Sequence, residues 1–266
     1  MKKSHVKSSD FLPNLMSKGI YSFTTEQARK EFKTSARATI AVLWRFKKRG
    51  LINTPYRGFH VIVPPEYRAF GCLPAEEFIP DLMDHLKSPY YAGLLTAAQF
   101  HGAAHQKPQY FQVVAPKNRA GIECGRVRVS FIARGNLQKI PVETRNTPRG
   151  TLRLSTPEGT ALDLVTYPEH AGGLGNVATV LLELSEKMQP TTLAKTVKRA
   201  GAMPYVQRLG YVLDLLKLKE LAAPLAEYVA QRAQVIAPLV PSLPKEGTPK
   251  NAKWKLFINS GIEADL

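Results

Sequence analysis

The sequence predicts an α+β protein, with an N-terminal winged helix-turn-helix followed by a larger mixed α/β domain that ends in a helical region and a final strand. Three observations carry that prediction. A capped and glycine-stopped basic helix over 35–50 runs directly into a short hairpin pattern. Beyond the prolines at 64 and 65, short apolar runs alternate with helical periodicities. The positive charge, finally, is concentrated at the N-terminal end.

Taken in order, Lys7 to Lys18 reads as a first helix, capped by Ser8 or Ser9 and stopped by Gly19, with Phe11, Leu12, Leu15 and Met16 on one face and Pro13 in the first turn. A second helix begins after Thr24, because Gln27 lies three residues on at capping-box spacing and Ala28 and Phe32 share a face. Lys33-Thr34 makes the turn. The third helix starts at Ser35, whose hydroxyl accepts from the free amides of the first turn. Lys47, Lys48 and Arg49 complement the negative C-terminal end, and Gly50 takes the left-handed stop. Thr39, Val42, Leu43 and Phe46 fall on one side of this helix, while Arg37, Ala41, Arg45 and Lys48 fall on the other. Trp44, at the border, reads as partly packed in the core. Leu51-Ile52 and Phe59 to Val63 predict two strands around a turn over 53–58 with Arg57 at its tip.

Pro64-Pro65 predicts a domain boundary, giving a DNA-binding domain over 1–64 and a C-terminal domain over 65–266. In the latter, a mixed sheet is expected over 65–155, a mainly helical region over 156–237, and an extended tail with the last strand over 238–266. Helices are predicted at Ala75 to Leu86 and Leu94 to Gly102, and strands at Tyr110 to Ala115, Val127 to Ile132 and Thr151 to Leu154. Ser155-Thr156-Pro157-Glu158 opens a helix with a hydroxyl cap, a proline at the first position and an acid in the first turn. Further helical patterns cover Val177 to Met188, Thr191 to Ala200, Pro204 to Leu216 and Leu221 to Ala233, and Trp254 to Asn259 reads as a strand returning to the sheet of the second domain.

The chain of 266 residues carries a net charge of +16, and its pI of about 9.9 favours a polyanionic partner. Residues 1–64 hold thirteen Lys and Arg against Asp10, Glu26 and Glu31, which leaves about +10 on roughly a quarter of the chain. That is the electrostatic footprint of a DNA-binding module. Cys72 and Cys124 lie far apart in sequence, with no second thiol near either, so neither a zinc knuckle nor a disulfide framework is predicted and a reduced cytoplasm is the expected setting. No apolar run approaches the ~18 residues of a membrane span, and no secretory signal is read at the lysine-rich start.

Catalytic chemistry finds no foothold. Walker, Rossmann and nucleophile-elbow patterns are absent, and Gly172-Gly173-Leu174-Gly175 is read as a loop. His101 and His105 have a zinc-compatible spacing, but Gly102 follows where a metalloprotease glutamate would stand, so a structural or surface pair is expected. Asp81, Asp84 and His85 read as a solvated helix face. Also missing is the Gly-Ser with paired carboxylates by which a nucleotidyltransferase holds magnesium. The expectation is a protein that is not an enzyme and holds no metal or cofactor.

In this order, four segments resemble the AbiEi-type antitoxins of bacterial type IV toxin-antitoxin systems. They are Leu43 to Ile52 in the winged helix, Gly93 to Gly102, Ser155-Thr156-Pro157-Glu158 through Asp163-Leu164, and Gln207 to Leu213. The resemblance implies an N-terminal domain that binds inverted repeats in its own promoter and represses the operon. It also implies a C-terminal domain needed to antagonise a nucleotidyltransferase-like toxin without a stable complex, in abortive infection and phage defence. Where the family commonly has a long side chain after Thr-Pro-Glu, this chain has Gly159.

The candidate DNA contacts are Ser35, Arg37, Arg45, Lys47, Lys48 and Arg49 on the third helix, Arg57 at the wing, and Arg29, Lys30 and Lys33 on and after the second helix. Arginine can bond guanine bidentately and lysine neutralises phosphate, whereas the competing reading is a solvated basic face. Lys195, Lys198 and Arg199 form a possible second basic face, and Lys245, Lys250, Lys253 and Lys255 read as solubilising tail charge. A transcriptional regulator unconnected to a toxin, with an interaction or ligand-sensing C-terminal domain, is the alternative.

Overall fold

A computed structural model describes residues 8–103 and 108–262. In chain order these residues form α1 (Ser8–Met16), β1 (Ser22–Thr24), α2 (Thr25–Phe32), α3 (Ala36–Lys48), β2 (Ile52–Tyr56), β3 (Phe59–Ile62), α4 (Ala75–His85), β4 (Tyr91–Ala92) and α5 (Leu94–Phe100). There follow β5 (Phe111–Ala115), β6 (Ile122–Cys124), β7 (Val127–Ala133), β8 (Val142–Thr147) and β9 (Gly150–Ser155). The remainder is α6 (Pro157–Thr166), α7 (Gly173–Leu184), α8 (Pro190–Ala200), α9 (Met203–Leu215), α10 (Lys219–Arg232), β10 (Ala237–Pro238), β11 (Lys250–Asn251) and β12 (Leu256–Phe257). The architecture is mixed α/β, as predicted, and the chain divides into two compact units. The first comprises Met1–Tyr90, Gln109–Ala133 and Thr144–Arg153, and the second comprises Tyr91–Pro108, Arg134–Glu143 and Leu154–Leu266.

In the first unit, α1, α2, α3 and the small sheet close on one core. Phe11 meets Phe23 and Phe32 edge to face at 5.1 and 4.7 Å, and Leu12, Ala28, Leu43, Phe46, Ile52 and Ile62 fill the rest. Such ring pairs add to the area they remove from water. Strand β3 is central, antiparallel to both β1 and β2. Two details depart from the sequence reading. Asn53 to Tyr56, expected as turn, continue β2 across a register irregularity, because Pro55 sits on an edge strand where its missing amide costs no ladder bond. Ser22–Thr24, expected to lead straight into the second helix, first pairs with β3. The predicted start of the first helix at Lys7 lies outside the described residues, and Pro13 falls inside α1 rather than in its first turn.

This unit continues past Pro64. Asn53 Nδ2 donates to Gly71 O at 2.8 Å, and Ser22 Oγ donates to Asp81 Oδ2 at 2.6 Å. Arg149 stacks its guanidinium 3.8 Å from the Tyr21 ring centroid and makes ion pairs with Glu66 and Glu77. Further along, β5 runs parallel to β7 from Phe111↔Val129 to Ala115↔Ala133, and β6 is antiparallel to β7. The two cysteines, expected to lie apart, are brought together. Both are buried, and their thiols are hydrogen-bonded to each other, which with burial holds the Cys72 thiol far above its usual range. Sequence separation misled here because β6 folds its end back onto the turn at residues 70–72.

In the second unit, β4 pairs in parallel with β9 at Ala92↔Leu154, and α6 to α10 pack around a core that includes Leu162, Val177, Leu193, Leu209 and Leu225. Thr156 caps α6, accepting from Gly159 N at 3.3 Å, with Pro157 at the first helical position as predicted. Two expectations are corrected. The glycine cluster is not a loop, since Gly172 is a left-handed cap and Gly173 already begins α7. The last strand is also shorter than expected and joins a different sheet: β12 pairs with β10 in parallel and β11 in antiparallel fashion.

Candidate nucleic-acid interface

Local interactions at both ends hold α3 as the sequence predicts. Ser35 Oγ accepts from Ala38 N at 3.2 Å, Gly50 has φ 65°, and the preceding helix carries a complete capping box between Thr24 and Gln27. Thr39, Leu43 and Phe46 are buried. Arg37, Arg45, Lys47, Lys48 and Arg49 are exposed, so the split between packed and cationic faces holds. Trp44 departs from expectation, since it is 59 % exposed rather than partly packed. Its neighbour one turn away, Ile40, is 59 % exposed as well. The core already has Leu43 and Phe46 pointing inward, which rotates residues 40 and 44 toward solvent.

Arg57 is exposed at the two-residue tip between β2 and β3, the position from which a wing reaches a backbone. Lys30 and Lys33 are exposed, Lys33 in left-handed conformation at the end of α2. Arg29 is held by Glu26 at 2.9 Å in an exposed i,i+3 pair. Ser35 spends its hydroxyl on the cap. Beneath α3, His60 is 6 % exposed, and its ring nitrogens lie 2.8 Å from Thr25 Oγ1 and 3.0 Å from Thr54 Oγ1. Burial, and then the charge of Lys47, lower its pKa to about 4. The imidazole is therefore neutral near pH 7, one nitrogen donating and the other accepting, and it ties the start of α2 to the hairpin.

In the second unit the sequence motifs lead inward. Arg134 Nη1 donates to Asp163 Oδ1 at 2.6 Å, and Tyr91 Oη donates to Asp163 Oδ2 at 2.9 Å, with Asp163 wholly buried. Burial raises the Asp163 pKa to about 6 against the opposing pull of Arg134 and Tyr91. Arg208, 1 % exposed, donates from Nε to Leu239 O at 2.7 Å and from Nη1 to Val165 O at 2.6 Å. Glu158, also buried, accepts from Gln189 N at 3.1 Å. Gly159 is closely packed: a Cβ there would lie 3.0 Å from Ile140 Cγ2 and 3.2 Å from Pro141 O, so a larger residue would require these neighbours to give way. Gly210 likewise makes space for the buried indole of Trp254, whose ring atom Cζ3 would be 1.9 Å from an added Cβ.

Arg134, Arg149 and Trp254 had no place among the sequence-predicted site residues, and no spacing signal marks them. The second basic face is partly committed, with Arg199 donating to Gln138 O at 2.9 Å and Lys198 lying 5.8 Å from the Tyr228 ring. Lys195 is exposed. His101 Nε2 is 2.8 Å from Ser155 O, and His105 lies outside the described residues. Asp81 is bonded to Ser22, and His85 lies against Phe59 at 5.6 Å, which departs from a purely solvated face. Among the described residues, no group of three or more His, Cys, Asp or Glu is placed to hold a metal ion, and no helix is long and apolar enough to cross a membrane.

These features define a winged helix-turn-helix joined in one chain to a mixed α/β unit organised by buried arginines. The comparisons with known proteins fit that class. Residues 91–215 match the family described as AbiEi antitoxin C-terminal domain, starting where the second unit starts. The second unit thus carries a match to an AbiEi antitoxin domain, which supports an antitoxin role in a toxin-antitoxin system. No curated protein matches the sequence. Among solved structures, the chain is similar to the crystal structure of the Rv2827c protein from Mycobacterium tuberculosis, with TM-score 0.63 and 14 % identity over 94 % of this chain and 90 % of that one. At that identity the likeness is one of fold. The solution structure of the antibiotic-resistance factor ANT(2'')-Ia matches 57 % of this chain and 88 % of its own at 11 % identity, but a TM-score of 0.26 carries no argument.

Proposed function

We propose that this protein is an antitoxin that represses its own operon by sequence-specific binding to double-stranded promoter DNA, and that it belongs to the type IV class, antagonising a nucleotidyltransferase-like toxin in the bacterial cytoplasm without a stable complex. The observation that carries the DNA reading is α3 itself. One face is sealed into the core by Thr39, Leu43 and Phe46, and the other presents Arg37, Arg45, Lys47 and Lys48 to solvent beside the wing. In this reading Arg37 and Arg45 reach base edges in the major groove, Lys48 and Arg57 hold phosphates, and Lys30 and Lys33 flank the backbone. Ser35 contributes by starting α3. Support for the toxin-directed half is the antitoxin domain over 91–215.

The test of the first half is a binding titration of the full chain on the DNA upstream of its own gene, repeated across salt concentrations. The proposal expects a discrete complex whose affinity falls steeply as salt rises. A flat salt response would remove the DNA reading. For the second half, co-expression with the neighbouring toxin should restore growth while the two proteins fail to co-purify; a stable complex would place the pair outside type IV.

A further inference from the structure

Trp44 and Ile40 are unexplained by charge alone. They stand one helical turn apart on the exposed side of α3, each 59 % exposed, bracketed along the helix by Arg37, Arg45, Lys47 and Lys48. A shallow hollow between α2, α3 and β2 opens beside them, walled by Thr25, Leu43, Lys47, Thr54 and His60. The Lys48 ammonium lies 5.3 Å from the Trp44 ring centroid, so the indole sits within the cationic field rather than apart from it.

Resting on the operator-binding reading above, we propose that Ile40 and Trp44 read thymine, by packing against the 5-methyl groups that project into the major groove. The rim of four cations demands a polyanionic partner, and the centre of the patch demands an apolar group on that partner. Double-stranded DNA meets both demands at one place: the major-groove edge of an A·T pair, where the methyl is the apolar feature and phosphates flank it on both strands. An anionic lipid surface fits less well. Only two large apolar side chains project from α3, and at the wing the one exposed ring, Tyr56, stands beside the charged Arg57, too little apolar surface for an interfacial anchor. Arg37 and Arg45 then read guanine while Ile40 and Trp44 read thymine, which gives one helix two kinds of base discrimination.

The experiment compares two forms of the same upstream DNA fragment, one made with thymine and one with uracil throughout, so that only the 5-methyl groups differ in composition. Full-length protein should bind the thymine form at least about fourfold more tightly, the effect of burying a single methyl. An Ile40→Ala/Trp44→Ala variant should lose the preference, its affinity for the thymine form falling by a factor at least about fourfold larger than its affinity for the uracil form. Because both side chains are exposed, its melting temperature should match the parent's. A second readout is iodide quenching: Trp254 is fully buried, so the accessible emission is that of Trp44, and the thymine form should shield it. Equal binding of both forms by the parent protein would overturn thymine reading while leaving operator binding intact. Failure to bind either form would overturn both. If the variant loses affinity equally on both forms, or changes its oligomeric state or its binding to anionic vesicles, the patch serves another surface and the inference falls.

Discussion

Arginine serves opposite ends on α3 of the first unit and in the core of the second. On α3 of the first, Arg37 and Arg45 project into water from a helix whose stability is already secured by its caps and its core face. In the second, Arg134 and Arg208 are 4 % and 1 % exposed and bond to a carboxylate and to main-chain carbonyls. An exposed cation is free to meet a partner, and its loss leaves the fold unharmed. A buried one is part of the fold, and its loss strands whatever it neutralised. The charge that suggested nucleic acid in the composition is thus divided between an exposed face and the architecture of the fold.

The largest expected effect is at Arg134. Arg134→Ala should cost about 3–5 kcal/mol of unfolding free energy, because it leaves Asp163 buried without its cation. Adding Asp163→Asn should recover part of the loss. Urea denaturation of the full chain checks this, with 5-fluorotryptophan resonances separating the units, since Trp44 lies in the first and Trp254 in the second. A loss below about 1 kcal/mol would mean that the second unit's arginines are as dispensable to the fold as those of α3.

Acid should divide the units next, and in opposite senses. His60 has its pKa lowered from 6.5 to about 4, so the stability it contributes is present above pH 6.5 and is lost as pH falls toward 4, on the order of 3 kcal/mol in full. Asp163 has its pKa raised from 3.8 to about 6, so what it contributes is present below 3.8 and is lost as pH rises through 6. Between pH 6.5 and 4 the first unit should therefore weaken while burial of Asp163 becomes easier to sustain. The Trp44 resonance should broaden or shift to its unfolded position at lower urea as pH falls, and His60→Gln should flatten that slope. Parallel acid sensitivity of both resonances would contradict the assignment of the two groups.

The same contrast explains how much was legible beforehand. The winged helix-turn-helix could be read because its determinants are local: Thr24 and Gln27, Ser35 and Ala38, Gly50 and the 3.6-residue spacing of Thr39, Leu43 and Phe46 all act within one turn or one face. Trp44 escaped because a residue at the edge of a helical face is assigned by the neighbours that fill the core. In the second unit the decisive contacts span long stretches of chain. Arg134 meets Asp163, Arg208 meets Val165 and Leu239, and Gly210 meets Trp254, and no spacing rule predicts such partners. Strand β8 was missed for a different reason, since Val142-Glu-Thr-Arg-Asn-Thr147 has almost no apolar alternation and no buried residue to signal a face.

On the recognition side the expected effects are smaller and fall on binding, with stability spared. Arg45→Ala should lose about 1–3 kcal/mol on the upstream DNA and little on random sequence if the side chain reads a base. An equal loss on both would move it to the phosphate-contacting class. Lys48→Ala and Arg57→Ala should each weaken binding to both sequences alike and reduce the slope of log affinity against log salt by about 1. Unfolding of all three variants should stay within about 0.5 kcal/mol of the parent, as for other exposed substitutions. A destabilisation comparable to that of Arg134→Ala would erase the distinction between the two uses of arginine.

Ser35 gives the finest test, because it was a candidate contact and its hydroxyl is engaged in the fold. Its Oγ accepts from Ala38 N, and its carbonyl accepts from both the amide and the hydroxyl of Thr39. Substitution to alanine removes only the first of these. Ser35→Ala should therefore cost about 1 kcal/mol of stability, the ordinary value of an N-cap. Ser35→Asp should restore the cap while placing a negative charge at the edge of the proposed DNA face. If Ser35 acts only by starting α3, the alanine variant should bind DNA normally once enough folded protein is present, whereas the aspartate variant should be stable and bind less tightly. If instead alanine impairs binding at full folding, the hydroxyl contacts the nucleic acid despite its cap bond, and the division of α3 into a terminus that serves the fold and a face that serves recognition would have to be redrawn one residue further along.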